Sequence, residues 1–379
     1  MSNPVEVICG DCLEVMKGMA ENSVQCVVTS PPYWGLRKYE GNQEKVWGDN
    51  HCEHQWGEEL VRRDRGSLHG VNAQAGNTLT GVSGIETKQG QLCSLCGSWR
   101  GALGLEPSPE LFIRHLIEIL REIKRVLKKT GCVFINIGDS YVSGKARWSS
   151  TPQTISGKKD RGEPINCRPD QIGHPILKDK DLCLIPQRLA IAAQEDGWWV
   201  RSIIIRAKTN PMPESVRDRP TTSHDYILML TKSARYYWNI DAVREPHLPQ
   251  TYKRAESPMG TFGSASGETL IRGPVKKDKI TRMVELNPLG RNIRSVWHFP
   301  NKSTPEAHFA TFPEELPRRC ILATTKEGDL VLDPFIGSGT TAVAAMKLGR
   351  RCIGIDLSET YCEMARKRIE ATTPALVAL

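Results

Sequence analysis

No stretch of this 379-residue chain approaches the roughly 18 uninterrupted apolar residues of a membrane span. Its opening, MSNPVEVICGDCLEV, also lacks the basic start and apolar run of a signal peptide. Membrane insertion and export are therefore not expected, and a cytoplasmic location is the default. Internal repeats are absent, which excludes a solenoid or a propeller. A strong excess of one charge is missing too. The 51 lysines and arginines against 43 aspartates and glutamates leave +8, a surplus that suits a polyanionic partner but also occurs in ordinary enzymes. What is present is a globular composition, 39% hydrophobic and 25% charged. At this length about two domains are expected, and a core can form without disulfides or metals.

Short β-branched runs alternate with helical patterns at both ends. VEVIC (5–9), VQCVV (24–28), CVFINI (132–137), LVLDPF (330–335) and CIGID (352–356) read as buried parallel strands. Residues 200–205 and 226–230 bring the count to about seven. Residues 109–129 repeat apolar side chains at helical spacing (Leu111, Phe112, Leu116, Ile119, Leu120, Ile123, Leu127), with Gly131 as a stop. Residues 185–196 and 358–369 carry the same pattern. This alternation predicts an α/β sheet with helices on both faces. Three stretches interrupt it: 38–106, 140–180 and 241–294. Long irregular segments in such a protein are usually functional loops or insertions.

Twelve cysteines are scattered along the chain, several in apolar runs where a reduced thiol packs as a small hydrophobe. Cys9 and Cys12 flank Gly10-Asp11 at a strand end and read as packing rather than redox chemistry. The first interruption holds Cys52-x-His54 and Cys93-x-x-Cys96, four soft or borderline ligands at metal-site spacing. A structural zinc ion fits a segment that cannot build its own core. The alternative is four unrelated residues in a loop.

Two blocks carry chemistry. LVLDPFIGSGTT (330–341) runs a strand into a glycine turn and then a helix, so Gly337 and Gly339 would let a ligand approach backbone at a helix N-terminus. The next strand ends in Asp356, placed to accept hydrogen bonds from ribose hydroxyls. No P-loop lysine follows Gly339, so a nucleoside without a triphosphate fits best. In TSPPYW (29–34), two prolines stiffen a strand-end turn and leave the Ser30 hydroxyl and the Pro31 carbonyl as acceptors beside the Tyr33 ring. That set suits a planar base with an exocyclic amino group. A rigid turn with a core aromatic is the plainer reading.

With GDCLEVM (10–16), HFATFPEEL (308–316) and GIDLSETY (354–361), these blocks resemble the S-adenosylmethionine-dependent DNA amino-methyltransferases. Catalytic block first and cofactor block last is the order of their β group. The resemblance implies a seven-stranded, mostly parallel α/β sheet of the class I methyltransferase type, circularly permuted. It divides the chain into 1–37 (start of the catalytic half), 38–106 (insertion, the candidate zinc module) and 107–240 (catalytic half). Residues 241–295 become the target-recognition region and 296–379 the cofactor half.

By the same resemblance Ser30, Pro31, Pro32 and Tyr33 form the catalytic turn. Phe335, Gly337 and Gly339 face the cofactor's methionine side, Ser338 and Thr340 also bind the cofactor, and Asp356 lies on the ribose and Asp11 on the adenine amino group. Phe309, Thr311 and Pro313 close the site. Asp333 either orients the cofactor ammonium through water or caps a strand end.

The implied reaction is direct methyl transfer to the amino nitrogen of a flipped base in double-stranded DNA, with no covalent intermediate. Ser before the prolines points to cytosine N4 and leaves adenine N6 as the alternative. A catalytically silent DNA-binding protein is the rival of another class. Arg206 stands where relatives often have a tryptophan, and with Lys208 it can meet base or phosphate or be a solvated strand-end charge. Arg272, Lys276, Lys277, Arg291 and Arg294 are candidate phosphate contacts. No base-reading module or nuclease domain is visible, so target sequence, a companion restriction endonuclease and oligomeric state stay open.

Overall fold

The computed structural model describes residues 4–35, 43–48, 51–62, 85–142, 174–211, 213–256, 286–300 and 312–377. Its strands are β1 (Val5–Cys9), β2 (Val24–Thr29), β3 (Lys45–Trp47), β4 (Trp56–Arg62), β5 (Ile85–Cys93), β6 (Trp99–Gly101), β7 (Leu127–Ile137), β8 (Trp199–Lys208), β9 (His224–Thr231), β10 (Val296–Phe299), β11 (Leu330–Asp333) and β12 (Arg351–Asp356). The α-helices are α1 (Cys12–Lys17), α2 (Pro109–Val126), α3 (Ile185–Glu195), α4 (Pro249–Glu256), α5 (Glu315–Thr324), α6 (Thr340–Lys347) and α7 (Glu359–Val377). The chain divides into two compact units. One comprises Met1–Pro31, Ile119–Gly138 and Ala190–Leu379, the other Pro32–Glu118 and Asp139–Leu189.

The first unit holds an eight-stranded sheet in the order β1-β12-β11-β2-β7-β9-β8-β10. The five strands from β1 to β7 run parallel to their neighbours. β9 pairs antiparallel with both β7 and β8. The expected seven strands are all present, and β10 adds an eighth, parallel to β8 at the sheet edge. All six residues of β2 are buried, as a parallel strand covered on both faces requires. One core cluster packs Leu316 and Ile321 of α5, Val343 of α6 and Ile369 of α7 against Val28, Phe134 and Val331 of the sheet.

The apolar stripe of α2 is buried as its spacing predicts, but the helix ends at Val126 and β7 begins at the next residue. Gly131 is therefore a strand residue rather than a helix stop. A Cβ there would stand 2.7 Å from Leu127 and 2.9 Å from the Gln25 carbonyl, so tight strand packing is what demands glycine. The last helix lies on the first strand: Cys362 Sγ donates to Ile8 O and Arg366 Nη2 to Val7 O. β12, α7 and β1 thus form a strand-helix-strand unit whose final connection is not covalent, the physical content of a permuted chain. Among the described cysteines none is disulfide-bonded; most are buried, whereas Cys9 is exposed.

The second unit contains the four-stranded antiparallel sheet β3-β6-β5-β4. Among the described residues no helix is long and apolar enough to cross a membrane.

Candidate functional site

At the middle of the large sheet, β11 is followed through α6 by β12 on one side, and β2 through α2 by β7 on the other. The carboxyl ends of β11 and β2 flank this switch point, where open parallel sheets leave a crevice. Asp333 ends β11 and is buried. Its Oδ1 accepts from Thr29 Oγ1 at 2.6 Å and from Phe335 N at 3.1 Å, and its Oδ2 from Thr341 Oγ1 at 2.7 Å. Burial raises its pKa to about 6 despite these three donors, and the nearby Asp356 carboxylate adds to the rise. The carboxylate thus ties β2, the glycine turn and α6 together, as a strand-end cap does.

Asp356 ends β12 and is half-buried, its pKa raised by desolvation. Its Oδ2 accepts from Gly337 N at 3.0 Å and its Oδ1 from Ser358 N at 2.9 Å. A carboxylate has about four acceptor sites, so this leaves capacity for a diol. Next to it, Gly10 N donates to Asp356 O at 2.8 Å and brings Asp11 to the same sheet edge. Asp11 Oδ1 caps α1 by accepting from Leu13 N and Glu14 N.

The two glycines of the turn differ. Gly337 has φ +49, and a Cβ there would meet nothing nearer than 4.0 Å, which leaves room for a ligand. Gly339 has φ +82 and would place a Cβ 3.0 Å from Ala365, so helix packing and backbone conformation both call for glycine there. The side chains of Ser338 and Thr340 also meet a partner from the last helix. Arg368 Nη1 of α7 donates to Ser338 Oγ at 2.7 Å, to Ser338 O at 2.6 Å and to Thr340 Oγ1 at 3.2 Å. These oxygens clamp the turn to α7. Phe335 is half-buried and Pro313 buried. Phe309 and Thr311 lie outside the described residues.

Ser30 follows β2 and is half-buried. Its Oγ donates to Asn136 O at 3.0 Å, and Asn136 Nδ2 reaches the same oxygen at 3.4 Å. Pro31 is buried beside it. Thr29, Asn136 and Thr341 were not singled out in the sequence. Asn136 stands near the end of the strand adjacent to β2, and that strand adjacency was the available signal.

In the second unit, Pro32 and Tyr33 are half-buried and Trp34 is buried. The same unit brings Cys52, His54, Cys93 and Cys96 together, with their ligand atoms all within 4.8 Å of one another.

The basic candidates are less well placed. Arg206 is buried, with Nη1 2.8 Å from Asp225 Oδ2 on the facing strand, and Lys208 Nζ reaches Asp225 Oδ1 at 2.7 Å. Asp225 thus pairs with both basic side chains. Arg291 and Arg294 share Glu245 at 3.3 and 3.1 Å. Arg272, Lys276 and Lys277 lie outside the described residues.

Solved structures share this fold. The PvuII DNA methyltransferase (cytosine-N4-specific) aligns with a TM-score of 0.53 at 14% identity, over 99% of this chain and 92% of that one. A Thermus thermophilus protein complexed with S-adenosyl-L-methionine aligns with a TM-score of 0.50 at 21% identity, over 97% and 94%. The sheet is thus that of a class I methyltransferase. The profile of the N6/N4 family described as DNA methylase matches residues 24–367. The Type II methyltransferase M.Cfr9I of Citrobacter freundii is 37% identical over 95% of this chain and 86% of its own length. M.SmaI of Serratia marcescens, also a Type II methyltransferase, is 34% identical over 96% and 90%. The chain belongs to this family of DNA methylases.

Proposed function

We propose that the chain methylates the N4 amino group of cytosine in duplex DNA, with S-adenosylmethionine as methyl donor. The observation that carries the reading is the Ser30 hydroxyl at the end of β2. Its proton goes to Asn136 O, and of the two acceptor sites of a hydroxyl oxygen Asn136 Nδ2 approaches one at 3.4 Å, so the proposed contact to a base amino group uses Oγ as an acceptor. The Pro31 carbonyl is the second acceptor, and Tyr33 supplies a ring for a flipped base. Two acceptors on one amino group hold its nitrogen lone pair in line for transfer, chiefly a proximity effect. S-adenosylmethionine supplies the electrophilic methyl group when bound. Asp356 would hold its ribose, Gly337 and Phe335 its methionine side, and Asp11 its adenine end.

Cytosine is preferred because Ser, rather than Asp or Asn, precedes the prolines. The cytosine-N4-specific PvuII enzyme among the structural neighbours agrees with that choice. The Type II names of the relatives support a modification role beside a restriction endonuclease. Incubation with S-adenosylmethionine and unmethylated duplex DNA of mixed sequence, followed by mass spectrometry of the nucleosides, tests the reading. N4-methyldeoxycytidine is expected. N6-methyldeoxyadenosine would overturn the base assignment, and no methylated nucleoside despite cofactor binding would overturn DNA as substrate. Ser30→Ala is expected to lower kcat by about 10- to 100-fold while leaving cofactor affinity unchanged.

A further inference from the structure

The small sheet of the second unit has an ion-sized cluster at its base. Cys52 and His54 precede β4, Cys93 ends β5, and Cys96 lies in the turn to β6. Cys52 Sγ is 4.0 Å from Cys93 Sγ, and His54 Nδ1 is 3.5 Å from Cys96 Sγ. A tetrahedral zinc ion with Zn–S of about 2.3 Å and Zn–N of about 2.0 Å sets S···S edges of about 3.8 Å and S···N edges of about 3.5 Å. A disulfide would need about 2.05 Å between sulfurs.

The turn is built around the cluster. Gly97 has φ +71 and its N–H donates to Cys93 O at 3.0 Å. Cys93 N donates to Ser98 O at 2.8 Å, and Cys96 Sγ lies 3.1 Å from Ser98 Oγ. Ser94 N donates to Gln55 O at 2.8 Å, which joins the two ligand-bearing segments.

From this cluster a continuous path of contacts leads to the turn that carries Tyr33. Trp99 begins β6 and pairs in register with Trp47 of β3. The His115 ring stacks on Trp47 at 4.5 Å and lies 5.5 Å from Trp99. His115 Nδ1 is 2.9 Å from Glu106 Oε1, and both side chains are buried. Glu106 Oε2 accepts from Gly104 N at 2.7 Å, and Glu106 O accepts from Trp34 Nε1 at 2.9 Å. Gly35 N donates to Gly104 O at 2.8 Å. A Cβ on Gly104 would stand 3.1 Å from Tyr33 O and 3.2 Å from a Pro32 carbon.

We propose that Cys52, His54, Cys93 and Cys96 bind one zinc ion, and that this ion holds the Trp47–His115–Trp99 stack and through it the Pro32–Gly35 turn. The metal site stands by itself; its effect on the reaction rests on the methyl-transfer reading above.

The full-length protein purified without added metal is expected to contain one zinc per chain. Exchange with cobalt(II) is expected to give the intense visible and thiolate charge-transfer bands of a tetrahedral, sulfur-rich site. Zinc well below one equivalent together with a weak octahedral cobalt spectrum would overturn the site. His54→Cys is expected to keep one zinc and to shift the cobalt charge-transfer band, while Cys96→Ser loses the metal. In Cys96→Ser, S-adenosylmethionine affinity should stay within about twofold while methylation falls about 10- to 100-fold. Loss of zinc with methylation intact would overturn the link to the turn. Zinc bound at one equivalent with no methylation of DNA by the unaltered protein would overturn the proposed reaction and leave the metal site standing.

Discussion

The two sheets hold functional turns still by different means. In the first unit the strand ends that carry Asp356, Asp333 and Ser30 belong to neighbouring, fully hydrogen-bonded strands with a deep core between sheet and helices. Position there comes from the sheet, and side chains add local ties such as Thr29 to Asp333. In the second unit β3 and β6 have three residues each, and the buried Trp47 and Trp99 both stack against the buried ring of His115. A sheet this small cannot bury enough apolar surface to hold a loop by itself. A stacked ring and the buried contact between His115 and Glu106 take that part, and the proposed metal cluster would add to it. Precision in a large parallel sheet is collective; in a small one it hangs on single side chains.

His115→Ala tests that contrast most severely. It removes the ring stacked against both tryptophans and leaves Glu106, whose pKa is already raised by burial, without its His115 contact. A loss of about 3–5 kcal/mol is expected in thermal or denaturant unfolding, with cofactor affinity unchanged. A loss below about 1 kcal/mol would mean that single side chains are as dispensable there as in the large sheet.

Asp333→Asn probes the other side. The folded-state pKa of Asp333, about 6, lies above the ordinary aspartate value, so the folded protein binds this proton more tightly than the unfolded chain. Its contribution to stability is complete below the unfolded value and is lost as pH rises through about 6. Between pH 7 and pH 4 the unaltered protein should therefore gain up to about 3 kcal/mol relative to the Asn variant. Parallel pH profiles of melting temperature would refute this.

Gly339→Ala should cost about 1–3 kcal/mol through its left-handed backbone and its approach to Ala365. Gly337→Ala should cost about 1–2 kcal/mol and additionally weaken S-adenosylmethionine binding, measured by calorimetry. Equal cofactor affinities in the two variants would remove the distinction between a packing glycine and a ligand-facing one. The smallest effect is expected for Arg294→Ala, whose exposed pair with Glu245 contributes at most about 1 kcal/mol. A salt dependence of DNA binding reduced by about one phosphate contact would show that Arg294 meets the backbone.

Much of this was legible in the chain because it is local. Buried runs such as VQCVV become strands wherever they lie, and a strand followed by glycines and another strand ending in Asp356 describes a ligand crevice within about 30 residues. β10 was missed because four residues alternating exposed and buried carry little periodic signal. The partner of Arg206, Asp225, is 19 positions away and meets it only through the β8–β9 register, so the sequence does not show the pair. The contacts of Arg368 to Ser338 and Thr340, some 30 positions apart, are likewise invisible in the chain.

The sequence by itself determined the alternation of strands and helices, the order of the blocks and the residue types available at each turn, since these depend on neighbours along the chain. The tertiary structure alone decided which of those residues are spent on the protein itself. Whether a carboxylate, hydroxyl or guanidinium faces a ligand or a neighbour depends on hydrogen-bond partners up to hundreds of residues away, as Thr29 with Asp333 shows. A buried polar group must find such a partner wherever the fold places one.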